Sequence, residues 1–298
     1  MSNKARAANA VAVKEAAAKG AAAKGAAAGN LRWREFGVAL VAPAVVIALW
    51  QAVAMLGWVN PQVLPSPLAV VERWVAYLLP LQPYTDGSKL AWFFSGELII
   101  DSLGSMYRVL AGFAIGAGLA LPIGLAMGAS ARVYAWFNPL FQLLRPIPPI
   151  AYIPLSILWF GLGNPPAVFL IALGAFFPVL MNTIAGVRQV DGIYLRAARN
   201  LGANQRTLFL RVILPASVPY ILAGVRIGIG TAFIVVIVSE MIAVNNGLGF
   251  RILEAREYFW SDKIIAGMIT IGLWGLAIDI GMNRLNNHLL RWHRGLEN

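Results

Sequence analysis

The chain has 298 residues, of which 59% are hydrophobic and only 12% charged, and it carries a net charge of +11. An ordinary soluble domain is about 45–50% apolar and about a quarter charged, so that class is excluded. The chain contains no cysteine, which excludes disulfides, thiolate metal sites and thiol nucleophiles.

Residues 1–30 are low in complexity, with the run KEAAAKGAAAKGAAAG. Alanine and lysine favour helix, but each glycine costs about 1 kcal/mol relative to alanine. A basic tail is expected here. It is not expected to be a secretory signal, because it lacks a continuous apolar core. The rest of the chain, 31–298, reads as one membrane domain.

Uncharged runs over 36–56, 109–128, 165–187 and 264–278 anchor the membrane reading. About 20 helical residues cross the hydrocarbon core. Six spans are predicted in chain order: 36–56, 107–128, 133–162, 165–187, 216–243 and 264–287. The third is interrupted by Pro139, Pro146, Pro148, Pro149 and Pro154. The second carries the patterns GFAIG at 112–116 and GLAMG at 124–128. Such spacing lets helix backbones approach closely, either in ordinary packing or in a dimer contact. The fold class is therefore all-α integral membrane.

Lysine and arginine favour the cytoplasmic side of short loops. The basic tail, Arg132 after the second span, five arginines after the fourth and the C-terminal Arg284, Arg291 and Arg294 all fall on one side of a six-span chain. Both termini are thus expected in the cytoplasm. Arginines beside spans also suit lipid headgroups, and no aromatic-plus-basic nucleic-acid module is visible, so membrane lipid is an expected partner and nucleic acid is not. His288 and His293 have no ligand cluster beside them, and no metal is assigned.

The loop after the fourth span, 188–214, is polar and heavily punctuated. Asp191 is a good N-cap. Ile193, Ala197, Ala198 and Leu201 follow at helical spacing. Gly202 suits a left-handed residue that ends the helix. Asn204 caps a second helix, expected to run to Leu214 and to stop at Pro215. A helix, a glycine elbow and a second helix are predicted. A merely solvated loop would need the charges, but not the alanine pair, the glycine or the prolines.

The stretch AARNLGANQRTLFLRVILPASVP, from 197, resembles the EAA loop of permease subunits of ATP-binding-cassette importers. Ala197, Ala198, Gly202, Leu214, Pro215 and Pro219 match; Arg196 stands where the family usually has glutamate. LLRPIPPIAYIPLSILWFGLG (143–163), AFFPVLMNTIAGV (175–187) and AGVRIGIGTAFIVVIVSEMIAVNNGLGF (223–250) are similar to the nitrate, sulfonate, taurine and bicarbonate branch. The resemblance implies a type I importer permease fold in a bacterial inner membrane. It implies that Arg196, Ala197, Ala198, Leu201, Gly202, Ala203, Phe209 and Pro215 form a coupling helix seated on a separate ATPase. ATP and Mg would be bound there, since this chain has no GxxxxGK[ST] phosphate loop and itself carries no cofactor. A second permease copy and an extracytoplasmic substrate-binding protein are implied as further partners. The chain is then a transporter subunit and not an enzyme, carrying a small solute such as nitrate, taurine or another sulfonate, or bicarbonate.

Among the ionisable residues inside predicted spans, four stand out: Arg145, Arg226, Glu240 and Asp279. Such a residue costs about 2.5–3.5 kcal/mol on insertion scales. Arg145 beside Pro148 and Pro149, with Glu240, forms the expected translocation-path set; the competing reading is a structural ion pair between Arg145 and Glu240. On the outer side, Glu254, Arg256 and Glu257 are expected either to contact the binding protein or to lie on an amphipathic surface helix beside Phe259 and Trp260. An ion-gradient-driven carrier is the alternative class. It explains the buried charges but not the cytoplasmic elbow.

Overall fold

The computed structural model describes residues 41–80, 84 and 88–290, with only the backbone given for Leu90 and Ala91. The tail expected over 1–30 and the first part of the first span lie outside the described residues. The chain divides between Leu68 and Ala69 into two units.

In the first unit, helix α1 (Val41–Met55) is short and apolar. Its Trp50 donates from Nε1 to the Pro65 carbonyl at 3.0 Å, holding the following turn. The second unit begins in α2 (Pro67–Leu78) and α3 (Lys89–Phe93). It continues through α4 (Glu97–Ala129), α5 (Ala131–Leu144), a 3-10 turn (Pro149–Tyr152) and α6 (Ile153–Phe160). Then come α7 (Asn164–Arg188), α8 (Gly192–Asn200), α9 (Gln205–Leu208), a π turn (Phe209–Ile213), α10 (Leu214–Ala243), α11 (Leu248–Glu257) and α12 (Ser261–Leu289).

Among the described residues, four helices are long and apolar enough to cross a membrane: Glu97–Ala129, Asn164–Arg188, Gln205–Ala243 and Ser261–Leu289. The predicted third span is bent by 82° between Ala131–Leu144 and Pro149–Phe160. Pro139 sits inside α5 without ending it, and the break comes at Arg145–Pro148. There consecutive prolines remove backbone donors and push the residues before them out of the helical region.

Helix α7 lies at the centre. Ala167, Leu170, Ile171, Ala175, Val179 and Leu180 are fully buried, spread around the helix rather than along one stripe. A helix apolar on all sides belongs in an interior. Its neighbour α4 meets it through glycines. A Cβ on Gly112 would stand 2.6 Å from Ile171 Cβ, and one on Gly124 would stand 2.8 Å from Thr183 Cβ. Gly116 faces the Ala172 carbonyl and Gly128 faces Val187. Both GxxxG patterns of this span therefore serve close packing of α4 on α7. On the other side, Gly224 and Gly228 of α10 face Asn182 and Val179. The α4–α7–α10 layer is the core on which the remaining elements rest.

Candidate functional site

The elbow forms as its local chemistry dictates. Asp191 accepts from Ile193 N at 2.8 Å and starts α8. Gly202 takes φ +79°, and Ala203 N returns to the Ala198 carbonyl at 3.0 Å, closing the helix end. Asn204 accepts from Thr207 N at 2.8 Å and starts α9. Helix does not stop at Pro215. The π turn at Phe209–Ile213 bonds Leu214 N to the Phe209 carbonyl, and helix runs on into α10. Proline lacks the N–H an α-helix would use, and a wider π turn absorbs the missing bond and the ring.

Arg196, Ala197, Leu201 and Gly202 are exposed, while Ala198, Ala203, Phe209 and Pro215 are half-buried. Leu201 is 88% exposed, and Ile193 and Tyr194 about as open as each other at 61% and 62%. Three large apolar side chains set around charged ones make a surface suited to a partner.

The expected path residues separate. Arg145, Pro148 and Pro149 line one cavity of about 360 Å³ with Asn182 and Thr231. Its walls come from the middle of α7 and the middle of α10, so it lies at mid-height of the spans. Arg145 is exposed at the 82° bend and makes no ion pair with another described residue. Glu240 is elsewhere. It is fully buried at the far end of α10 and pairs with Arg108, not with Arg145.

That second site is a polar clamp. Helix α4 presents Asp101, Ser105 and Arg108 at i, i+4 and i+7, one face of the helix. Glu240 accepts from Arg108 Nη1 at 2.6 Å, Ser105 Oγ at 2.8 Å and Gly249 N at 3.0 Å. Arg108 also donates to Asn164 Oδ1 at 2.7 Å and to the carbonyl and side-chain oxygens of Asn246. One turn away, Asp101 accepts from Tyr77 Oη at 2.8 Å, Arg251 Nε at 2.7 Å and Gly247 N at 2.8 Å. The clamp joins α2, α4, α7, α10 and α11. Burial, with the negative charge of Asp101 beside it, raises the Tyr77 phenol above its ordinary range. Burial opposes the charge on Arg251, but hydrogen bonds to Glu254 and Asp101 outweigh it and raise its pKa.

Reading the sequence alone missed Asp101, Ser105, Asn164, Asn246 and Arg251, and gave Arg108 no role. The i, i+4, i+7 spacing of two charged residues and a serine at the head of a span was the available signal. On α11, Glu254 pairs with Arg251 at 2.9 Å, while Arg256 and Glu257 are exposed. Arg226 and Asp279 pair with each other at 2.6 Å. Among the described residues no group of acidic or histidine side chains could hold a metal ion.

Apolar spans around a mid-height cavity that holds Arg145, Asn182 and Thr231, with a rigid elbow between two of them, define a multi-pass membrane transport component. Residues 118–294 match the family described as the binding-protein-dependent transport system inner membrane component, and the chain belongs to that family. A Bacillus subtilis protein named as an aliphatic sulfonates transport permease is 38% identical over 87% of this chain and 88% of its own. The taurine transport system permease of Escherichia coli is 33% identical over 89% and 94%. The nitrate import permease of Synechocystis is 34% identical over 80% and 84%. In fold, the chain is similar to an inward-facing structure of the MetNI methionine ABC transporter, with a TM-score of 0.59, 16% identity, and coverage of 68% of this chain and 99% of that one. The chain is thus an ABC permease, a transporter component of the inner membrane with the type I helical fold.

Proposed function

We propose that this permease carries a small oxyanion inward, a nitrate, a sulfonate such as taurine, or bicarbonate, by alternating access driven from a separate ATPase. The observation that carries the coupling is the elbow. Leu201, Ile193 and Tyr194 stand exposed on a short helix locked by Asp191, Gly202 and Asn204. A helix fixed at both ends, and joined through the Gly202 turn to the helix that runs on into α10, moves as a lever when its seat moves. ATP and Mg are bound by the partner that supplies the seat, and Arg196, Ala197, Ala198, Ala203, Phe209 and Pro215 shape the face or its support. Both chain termini and the elbow lie in the cytoplasm. On the opposite side, Glu254, Arg256 and Glu257 of α11 receive the binding protein.

The path runs past Arg145, Pro148 and Pro149. The guanidinium at mid-height, without an ion-pair partner among the described residues, favours a negatively charged solute, and Asn182 supplies a second N–H donor, since its amide spends one on the Pro178 carbonyl at 2.8 Å. Glu240 contributes by holding the outer end of α10 and not by facing the solute. A second copy of the chain closes the path.

The test is reconstitution into vesicles with a partner ATPase and a substrate-binding protein from the same cell. Uptake of nitrate or taurine that requires ATP supports the reading. Uptake driven by an ion gradient with no ATPase present overturns it in favour of a self-sufficient carrier.

A further inference from the structure

We propose that a phospholipid with a primary-amine headgroup, of the phosphatidylethanolamine type, binds in the wedge between α2, α4 and α12. Two cavities lie in this wedge. The upper one, about 210 Å³, is lined by Arg73, Tyr77, Glu97, Trp260 and Lys263. The lower one, about 470 Å³, is lined by Trp74, Leu98, Leu103, Thr270, Trp274 and Ala277, among other apolar groups.

Their heights follow from α12. Lys263, Thr270, Trp274 and Ala277 lie along one face, and at about 1.5 Å per residue Thr270 is roughly 10 Å and Ala277 roughly 21 Å from Lys263. Half of a hydrocarbon core is about 15 Å thick, so an acyl chain anchored at Lys263 reaches the lower cavity within one leaflet. Tyr258, Phe259 and Trp260 are exposed just before α12, as is Phe93 before α4. Aromatic rings gather at the headgroup level, which places the upper cavity there. The wall of the lower cavity is largely apolar. Trp74 Nε1 donates to Thr270 Oγ1 at 2.9 Å, and Thr270 donates to the Ala266 carbonyl at 2.9 Å. The Trp74 indole donor and the Thr270 hydroxyl donor are both spent, which suits contact with an acyl chain, and the Ser102 hydroxyl is a further polar group on this wall.

The charges at the mouth select the headgroup. Asp262 engages the Arg73 Nε at 2.7 Å, and half of the Arg73 side chain stays exposed. Its terminal nitrogens suit a phosphate. Among the described residues Glu97 has loose partners, Lys263 at 3.4 Å and Arg251 at 3.8 Å. Its carboxylate retains room for a short bond from an ammonium N–H. A choline headgroup has no N–H, and a glycerol headgroup has no cation.

The test uses the full permease complex, purified in a mild detergent, delipidated, and titrated with ethanolamine, choline and glycerol phospholipids of the same acyl chains. Native mass spectrometry reads the bound lipid. The ethanolamine lipid is expected to bind about tenfold more tightly than the choline lipid, the scale of one charge-assisted hydrogen bond. Glu97→Gln is expected to abolish that preference, and Ala277→Trp, which fills the lower cavity from an exposed position, to weaken all three lipids. Equal binding of the three lipids to the unaltered complex, or none, overturns the proposal. So does a cross-link from Leu103 to a helix of a second copy, which would make the wedge a protein interface.

Discussion

Arg108 and Glu240 meet at 2.6 Å with 3% and 0% of their side chains exposed. Helix α4 and the end of α10 are thereby joined by a pair shut off from water. Removing one partner of such a pair leaves an uncompensated buried charge, at a cost of about 3–5 kcal/mol. Replacing both with apolar groups removes that penalty. Glu240→Gln and Arg108→Met are each expected to lower the thermal unfolding midpoint of the detergent-solubilised protein sharply. The double variant Arg108→Met with Glu240→Met is expected to recover much of the loss. Single variants that unfold at the wild-type midpoint would show that the clamp does not hold the fold.

The elbow makes a different forecast. Gly202 has φ +79°, and a Cβ there would meet no atom of this chain within 4 Å. An L-residue in that conformation costs about 1–2 kcal/mol of strain and nothing from packing. Gly202→Ala is therefore expected to be mild. Gly202→Asp adds a charge to the face proposed for the ATPase. It is expected to leave membrane insertion intact, to reduce ATP-dependent uptake at least tenfold, and to release ATP hydrolysis from transport. Uptake at the wild-type rate in that variant would contradict the coupling role.

Much of this was legible because it is local. The caps at Asp191 and Asn204 and the turn at Gly202 depend on residues within one or two helical turns. The apolar runs that mark α4, α7, α10 and α12 are equally local. The continuation of helix through Pro215 was not legible, because proline normally interrupts a helix and only the π turn at Phe209–Ile213 relieves it. The partner of Glu240 was hidden for another reason. Arg108 lies 132 positions away, and the choice between it and Arg145 depends on which helix packs beside the end of α10. That is set by the glycine seam of α4 on α7, which a span-by-span reading does not contain. The mid-height cavity was half visible: Arg145 and the prolines drew notice, whereas Asn182 and Thr231 look like ordinary span residues until two helices bring them together.

The seam itself can be tested with two glycines on one helix. A Cβ on Gly116 would run into the Ala172 carbonyl, whereas one on Gly118 would meet nothing within 4 Å. Alanine is preferred to glycine in helices by about 0.8–1 kcal/mol. Gly118→Ala is thus expected to stabilise slightly. Gly116→Ala must push α4 away from α7, and forcing a methyl group into a close-packed contact costs about 1–3 kcal/mol. The two variants should move the unfolding midpoint in opposite directions. A rise in both would mean that α4 and α7 do not touch at Gly116.

Arg145 offers the sharpest test of what the cavity does. Glu240 is committed to Arg108, Asp279 to Arg226 and Asp101 to Arg251, so none of these carboxylates neutralises Arg145. A charge held without a partner at mid-height is costly unless the solute supplies the counter-charge. A lost hydrogen bond to a charged group is worth about 1.5–3 kcal/mol, or roughly 10- to 150-fold. Arg145→Gln is expected to cut uptake of an oxyanion by about that factor at matched protein levels. Arg145→Lys keeps the charge but loses the planar fork, and is expected to fall between the two. Because Arg145 supports no ion pair among the described residues, neither change should lower the unfolding free energy by more than about 0.5 kcal/mol. The split between transport and stability separates a solute contact from a structural role. Unchanged uptake and unchanged anion selectivity in Arg145→Gln would remove this arginine from the path.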